Sequence, residues 1–122
     1  MPRILLICGD SDFCDSLRKL FQDQPGIKIC GQRELGIAAV KKALELRPDL
    51  VILEMKVSPR SDFEVAEALK IALPNVPLFL VTSENSMLSE KTALAKGFDA
   101  VFEKRDDGTS LVKNARAIFD LK

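Results

Sequence analysis

The chain has 122 residues, 47% of them apolar and 30% charged, and its 18 basic residues balance 18 acidic ones. That length is one domain, able to bury roughly two-thirds of the surface its unfolded chain exposes. The charge balance gives no electrostatic case for nucleic acid or membrane binding, and the absence of histidine excludes Ser-His and Cys-His nucleophile pairs, imidazole zinc sites and histidine phosphotransfer within the chain.

Residues 3–8, Arg-Ile-Leu-Leu-Ile-Cys, form a short apolar run, the pattern of a strand buried on both faces. The N-terminus is too soon interrupted by Asp10 and Asp12 to be a secretory signal. No apolar run approaches the roughly 18 residues of a membrane span. Three cysteines (Cys8, Cys14, Cys30) without a C-x-x-C argue for a reducing cytoplasm and against a disulfide framework.

After the first strand comes Gly9-Asp10-Ser11-Asp12, where Asp10 or Ser11 can cap a helix. Phe13, Leu17, Leu20 and Phe21 recur on one face of that helix, and Pro25-Gly26 stops it. Residues 27–30 alternate like a strand near a sheet edge. A second helix over 35–47 is marked by Ile37, Val40 and Leu44 and ended by Pro48.

Leu50-Val51-Ile52-Leu53 then reads as a central strand, closed by Glu54. In open α/β sheets the chemistry lies just beyond the carboxyl ends of such strands, so position 54 is the expected centre of function. Residues 57–61 read as a polar loop and 63–73 as a helix burying Val65, Ala66, Leu69, Ile71 and Ala72. The fourth strand, 78–81, ends at Thr82-Ser83. A helix over 85–96 is stopped by Gly97. The fifth strand, 100–102, ends at Glu103-Lys104. Asp106, Asp107 or Thr109 caps a last helix with Leu111, Val112, Ala115, Ile118 and Phe119 on its apolar face. Five strand–helix repeats imply a parallel sheet covered on both sides by right-handed crossovers, in a single domain over 1–122.

With these strand ends placed, the sequence resembles the receiver domains of bacterial two-component response regulators over nearly its whole length. The segments that carry the resemblance are Arg-Pro-Asp-Leu-Val-Ile-Leu-Glu (47–54), Pro-Leu-Phe-Leu-Val-Thr-Ser (77–83) and Lys-Gly-Phe-Asp-Ala-Val-Phe-Glu-Lys (96–104). The resemblance implies an α/β fold of the flavodoxin-like, CheY-like kind: three layers α/β/α, five parallel strands in the order 2-1-3-4-5 and five helices. It also implies a cytoplasmic signalling protein that accepts a phosphoryl group from a kinase on an aspartate, aided by an acidic pair that holds Mg²⁺, a hydroxyl residue and a lysine.

Carried over by position, Thr82 stands for the hydroxyl and Lys104 for the lysine. Glu54 replaces the phosphoacceptor aspartate, and Cys8 and Gly9 fall where the acidic pair belongs, with Asp10 arriving late. Val101 replaces the switch aromatic, Arg105 the usual proline, and Val57-Ser58-Pro59 the usual loop after the acceptor. Sulfur and a bare glycine are poor Mg²⁺ ligands. A glutamate oxygen lies about 1 Å or more from the in-line position, a displacement that can cost about 100-fold. These departures point to a degenerate receiver without Mg²⁺ or another cofactor and without enzymatic activity. It would work by protein–protein contact through the face of the fourth helix, fifth strand and fifth helix, as a homodimer or with another protein, and bind neither nucleic acid nor membrane. Met87 and Leu88 fall on that side.

Glu54 has two readings: a built-in stand-in for the phosphorylated aspartate reaching Lys104 and Thr82, or a plain ion pair with Lys104. Cys8 is either an oxidant-sensing thiol near a helix N-terminus or a small hydrophobe closing a strand. Two further readings come from other classes. One is a working phosphoacceptor that uses Asp10 with Glu54. The other is a haloacid-dehalogenase-like phosphatase, suggested by Asp10-Ser11-Asp12 but lacking the nucleophile at the strand end itself.

Overall fold

Strands whose residues are apolar on both faces find partners only inside a sheet that is covered twice. The computed structural model describes residues 1–34, 36–54, 59–82, 90–104 and 108–120, with the backbone alone at 59–62 and 90. The elements alternate as β1 (Arg3–Cys8), α1 (Ser11–Gln22), β2 (Lys28–Glu34), α2 (Ile37–Leu46), β3 (Leu50–Glu54), α3 (Pro59–Ala72), β4 (Leu78–Thr82), α4 (Glu90–Ala95), β5 (Ala100–Glu103) and α5 (Thr109–Ile118). All neighbouring strands pair in parallel in the order β2-β1-β3-β4-β5. This is the CheY-like receiver fold.

The two-residue period of each strand divides the core in two. Ile4, Leu6, Cys8, Leu50, Ile52, Phe79 and Val81 face α1 and α5. Leu5, Ile7, Val51, Leu53, Leu78 and Leu80 face α2, α3 and α4. Glu54 continues the first series, and the register sets it directly opposite Cys8.

Several boundaries and faces differ from the sequence expectation. β2 runs on to Glu34, because the backbone of Gly31 to Glu34 continues the ladder with β1 past a register shift between Ile4 and Leu5. An edge strand buries little side chain, so polarity there does not end it. In α1 the buried face is Cys14, Leu17 and Phe21, with Phe13 and Leu20 flanking it half-buried. In α2 the sheet side is Ala39, Val40 and Ala43, while Ile37 is 72% exposed and Leu44 is also exposed. Small residues face inward there because α2 lies close: a Cβ on Gly31 would stand 2.9 Å from the Leu46 Cδ1 methyl.

α3 begins at Pro59, inside the expected loop, since proline suits a first helical position. Val65, Ala66 and Leu69 are buried and Ile71 is exposed. The N-cap position of α5 is Gly108, with φ +87° and no side chain of its own to cap the helix, and Thr109 is the first helical residue. Ile118 is exposed at its end. Asp106, Asp107, Arg105, Met87, Leu88, Val57, Ser58 and Ser83 lie outside the described residues.

Candidate functional site

The site is built at the carboxyl ends of β1, β3 and β5. Glu54 closes β3 with its side chain 1% exposed, an arrangement that is costly for a carboxylate unless both oxygens are engaged. They are. Lys104, just past β5, donates from Nζ to Glu54 Oε2 at 2.6 Å, and the Asp10 backbone N–H donates to Oε1 at 2.8 Å. Asp10 is itself the N-cap of α1: its Oδ1 accepts from the Asp12 N–H at 3.0 Å and the Phe13 N–H at 3.4 Å, while Oδ2 lies 3.4 Å from Lys104 Nζ.

The lysine is held from two further sides. Its own backbone N–H donates to the Thr82 carbonyl at 2.6 Å, which ties the turn after β5 to the end of β4. Its ammonium stands 4.7 Å from the centroid of the Phe13 ring, within cation–π range. Burial alone would lower the Lys104 pKa. The hydrogen bond and charge of Glu54, followed by those of Asp10, outweigh it and raise the pKa above the ordinary lysine value. Asp10 moves the other way, chiefly through the Phe13 N–H it accepts. Partial burial opposes that shift, and the Asp12 N–H and Lys104 add to it, so its carboxyl lies below the usual range.

Of the residues singled out in the sequence, Glu54, Lys104 and Asp10 meet at this point. Thr82 is buried at the end of β4 and enters through its carbonyl. Val101, opposite Leu80 in the register, packs half-buried into the layer beneath α2, α3 and α4. Gly9 lines the open crevice of about 590 Å³ above the triad, with Arg33 and Glu34 of β2 also on its wall.

Cys8 is not a free thiol: it is joined to Cys14 in a disulfide, with Cα atoms 5.8 Å apart. The odd cysteine count and the missing C-x-x-C therefore misled, because the pairing depends on a strand end meeting the second turn of the next helix. Phe13 and Cys14 were the residues missed. Their offsets of three and four from the Asp10 cap, which aim both back toward the strand ends, were the signal available.

The donors do not suit Mg²⁺, which needs several oxygens in near-octahedral array. Cys8 is in a disulfide, Gly9 has no side chain, and the oxygens of Glu54 face an ammonium and an amide. Among the described residues, no three Asp, Glu, Cys or His side chains converge. The space between the carboxylates is filled by Lys104.

No family model matches the chain. It is 27% identical over 121 residues to the response regulator protein VraR of Staphylococcus saprophyticus, an overlap of 98% of this chain and 58% of that protein. It is 27% identical over 106 residues to protein-glutamate methylesterase/protein-glutamine glutaminase 1 of Syntrophus aciditrophicus, covering 85% of this chain and 30% of that one. The chain thus spans little more than half of the first relative and under a third of the second. A two-component response regulator of the LuxR family from Aurantimonas superposes with a TM-score of 0.83 at 18% identity, over 97% of this chain and 84% of that one. The response regulator domain of Thermotoga maritima CheB superposes with a TM-score of 0.81 at 19% identity, over 100% and 98%. By sequence likeness and strand order together, the chain is similar to response-regulator receiver domains and has their fold.

Proposed function

We propose that this receiver domain is a protein–protein signalling module whose strand ends are held by Glu54, Lys104 and Asp10, without Mg²⁺-dependent phosphoryl transfer and without an enzymatic activity of its own. The observation that carries the reading is Glu54, whose buried carboxylate has one oxygen on the Lys104 ammonium at 2.6 Å and the other on the Asp10 amide at 2.8 Å. Phosphoryl transfer depends on positioning and charge neutralisation. An attacking oxygen here would have to leave a charge-assisted hydrogen bond and act from a side chain one methylene too long.

The partner surface in this reading is the α4–β5–α5 face, where Leu94 of α4 and Ile118 of α5 are exposed apolar residues. A second protein, or a second copy of the chain, docks there. Nucleic acid and membrane are not its partners. No helix among the described residues is long and apolar enough to cross a membrane.

One observation favours a second reading. The Asp10 side chain is 44% exposed and lines the crevice with Glu54, so Asp10 with Glu54 forms the carboxylate set of a working phosphoacceptor in that alternative. Amide NMR spectra taken through a Mg²⁺ titration, then with beryllofluoride, separate the two. The interaction module shows no shifts at Gly9, Asp10, Glu54 and Thr82. Saturable shifts at those amides, spreading along β5, would overturn it in favour of the phosphoacceptor.

A further inference from the structure

The Cys8–Cys14 pair stands outside the ion triad, and nothing in the function proposed above uses it. Cys8 is the last residue of β1 and Cys14 lies in the second turn of α1. Their Cα separation of 5.8 Å falls inside the range a disulfide spans without backbone movement. Between them runs the loop that carries Asp10, whose N–H holds Glu54 and whose carboxylate approaches Lys104. Both cysteines are buried, at 4% and 1% exposure, yet both line the crevice of about 590 Å³ that opens at the strand ends. The crevice thus gives a small molecule a route to two largely buried sulfurs.

The pair is also compatible with the reduced state. Each sulfur sits in the apolar layer with Leu17, Phe21 and Ile52, where two thiols pack as small hydrophobes. The layer therefore does not need the bond in order to be filled.

We propose that Cys8 and Cys14 form a reversible redox site, a dithiol that a small peroxide closes to the disulfide, and that closure fixes the β1–α1 loop carrying Asp10. One sulfur, as thiolate, attacks a peroxide oxygen: an S–O bond forms, the O–O bond breaks, and hydroxide leaves to become water with the thiol's proton. The second sulfur then attacks the first: the S–S bond forms, the S–O bond breaks, and a second water departs with the second thiol's proton. Two thiols lose two electrons and hydrogen peroxide is reduced to two waters. The third cysteine, Cys30, is half-buried on β2, and burial pushes its thiol above its ordinary pKa, so it reacts more slowly.

The inference stands apart from the function proposed above, since a Mg²⁺ titration with either outcome leaves it untouched. The test uses the full chain, reduced with dithiothreitol, exposed to graded hydrogen peroxide, then unfolded in guanidinium and trapped with N-ethylmaleimide for intact-mass and peptide analysis. The reduced chain should take up a label on each of its three cysteines. The oxidised chain should keep one label, on Cys30, with Cys8 joined to Cys14, and dithiothreitol should restore all three. Amide shifts between the two forms should centre on Gly9 and Asp10 and reach Glu54 and Lys104.

Full labelling after peroxide, an irreversible sulfinic acid at Cys8 or Cys14, or a bond through Cys30 would overturn the proposal. So would a spectrum unchanged at Asp10, Glu54 and Lys104. Cys30→Ser should leave peroxide closure intact, and Cys14→Ser should abolish it. Cys8→Ala is the second variant that should abolish it, available if Cys14→Ser does not fold.

Discussion

A carboxylate taken out of water keeps its charge only where other groups replace its hydration, and at Glu54 those groups are one ammonium and one amide. The two partners of the pair are unequally placed, because Glu54 is 1% exposed while the Lys104 side chain is 31% exposed. Removing the cation leaves a buried charge with only the Asp10 amide to compensate it, whereas removing the anion leaves a lysine that still has Asp10, the Phe13 ring and water. Lys104→Met should therefore cost about 3 kcal/mol and Glu54→Gln about 1 kcal/mol in urea unfolding. The double variant should be more stable than Lys104→Met alone, because the amide still accepts from Asp10. Equal costs for the two single variants would show that the burial asymmetry has no energetic consequence. Asp10 gives a pH test of the same triad. Its folded pKa lies below the ordinary 3.8, so the unfolded chain binds the proton more tightly. The stabilisation is present above about pH 3.8 and is lost as the pH falls through the folded value. Asn caps a helix as well as Asp does, so Asp10→Asn removes the charge and keeps the cap. Its stability deficit should be full at pH 6 and shrink toward zero below pH 3.8, as followed by unfolding midpoints at each pH.

At the scale of the element, α2 shows how packing distance overrides hydropathy. Ile37 and Leu44 are bulky branched residues, yet the helix leaves them outside and turns Ala39, Val40 and Ala43 to the sheet, with Leu46 packed over Gly31. Periodicity alone reports that one face is apolar, and here the apolar residues extend round more than one face, so the pattern is ambiguous about which side is buried. The consequence is testable. Ala43 is fully buried, and Ala43→Leu forces extra methyl groups into a filled interface at a cost of about 1–3 kcal/mol. Ile37→Lys, on the exposed face, should stay within about 0.5 kcal/mol of the parent. Denaturant midpoints of the two variants decide it, and the reverse order would mean that α2 is rotated about its axis. In α1 the buried face includes Cys14 beside Leu17 and Phe21.

Across the whole molecule, the parts that could be read from sequence are those fixed by long one-dimensional patterns. Four apolar runs and their end residues located β1, β3, β4 and β5, and with them Glu54, Thr82 and Lys104. The Asp10 cap followed from its place before a helical face. What could not be read depends on distances between elements: the Cys8–Cys14 pairing, the Phe13 ring beneath the lysine, the inward face of α2 and the continuation of β2 along an edge. The triad joins residues 10, 54 and 104 across three strand ends, so its consequence for metal binding is a property of the whole fold and shows in global stability. Any ligand that binds only the folded chain stabilises it by RT ln(1 + [L]/Kd). A site with a dissociation constant of about 1 mM would add about 1.4 kcal/mol at about 10 mM Mg²⁺, raising the melting temperature of a domain of this size by about 5 °C. With Lys104 in the space between the carboxylates, thermal unfolding should be unchanged by Mg²⁺ beyond what the same ionic strength of sodium produces. Lys104→Ala should gain a dependence, because loss of the ammonium frees the carboxylates of Glu54 and Asp10 for a cation. A Mg²⁺-specific rise in the parent chain would place the ion beside the lysine and end the view of a pocket held shut by its own ammonium.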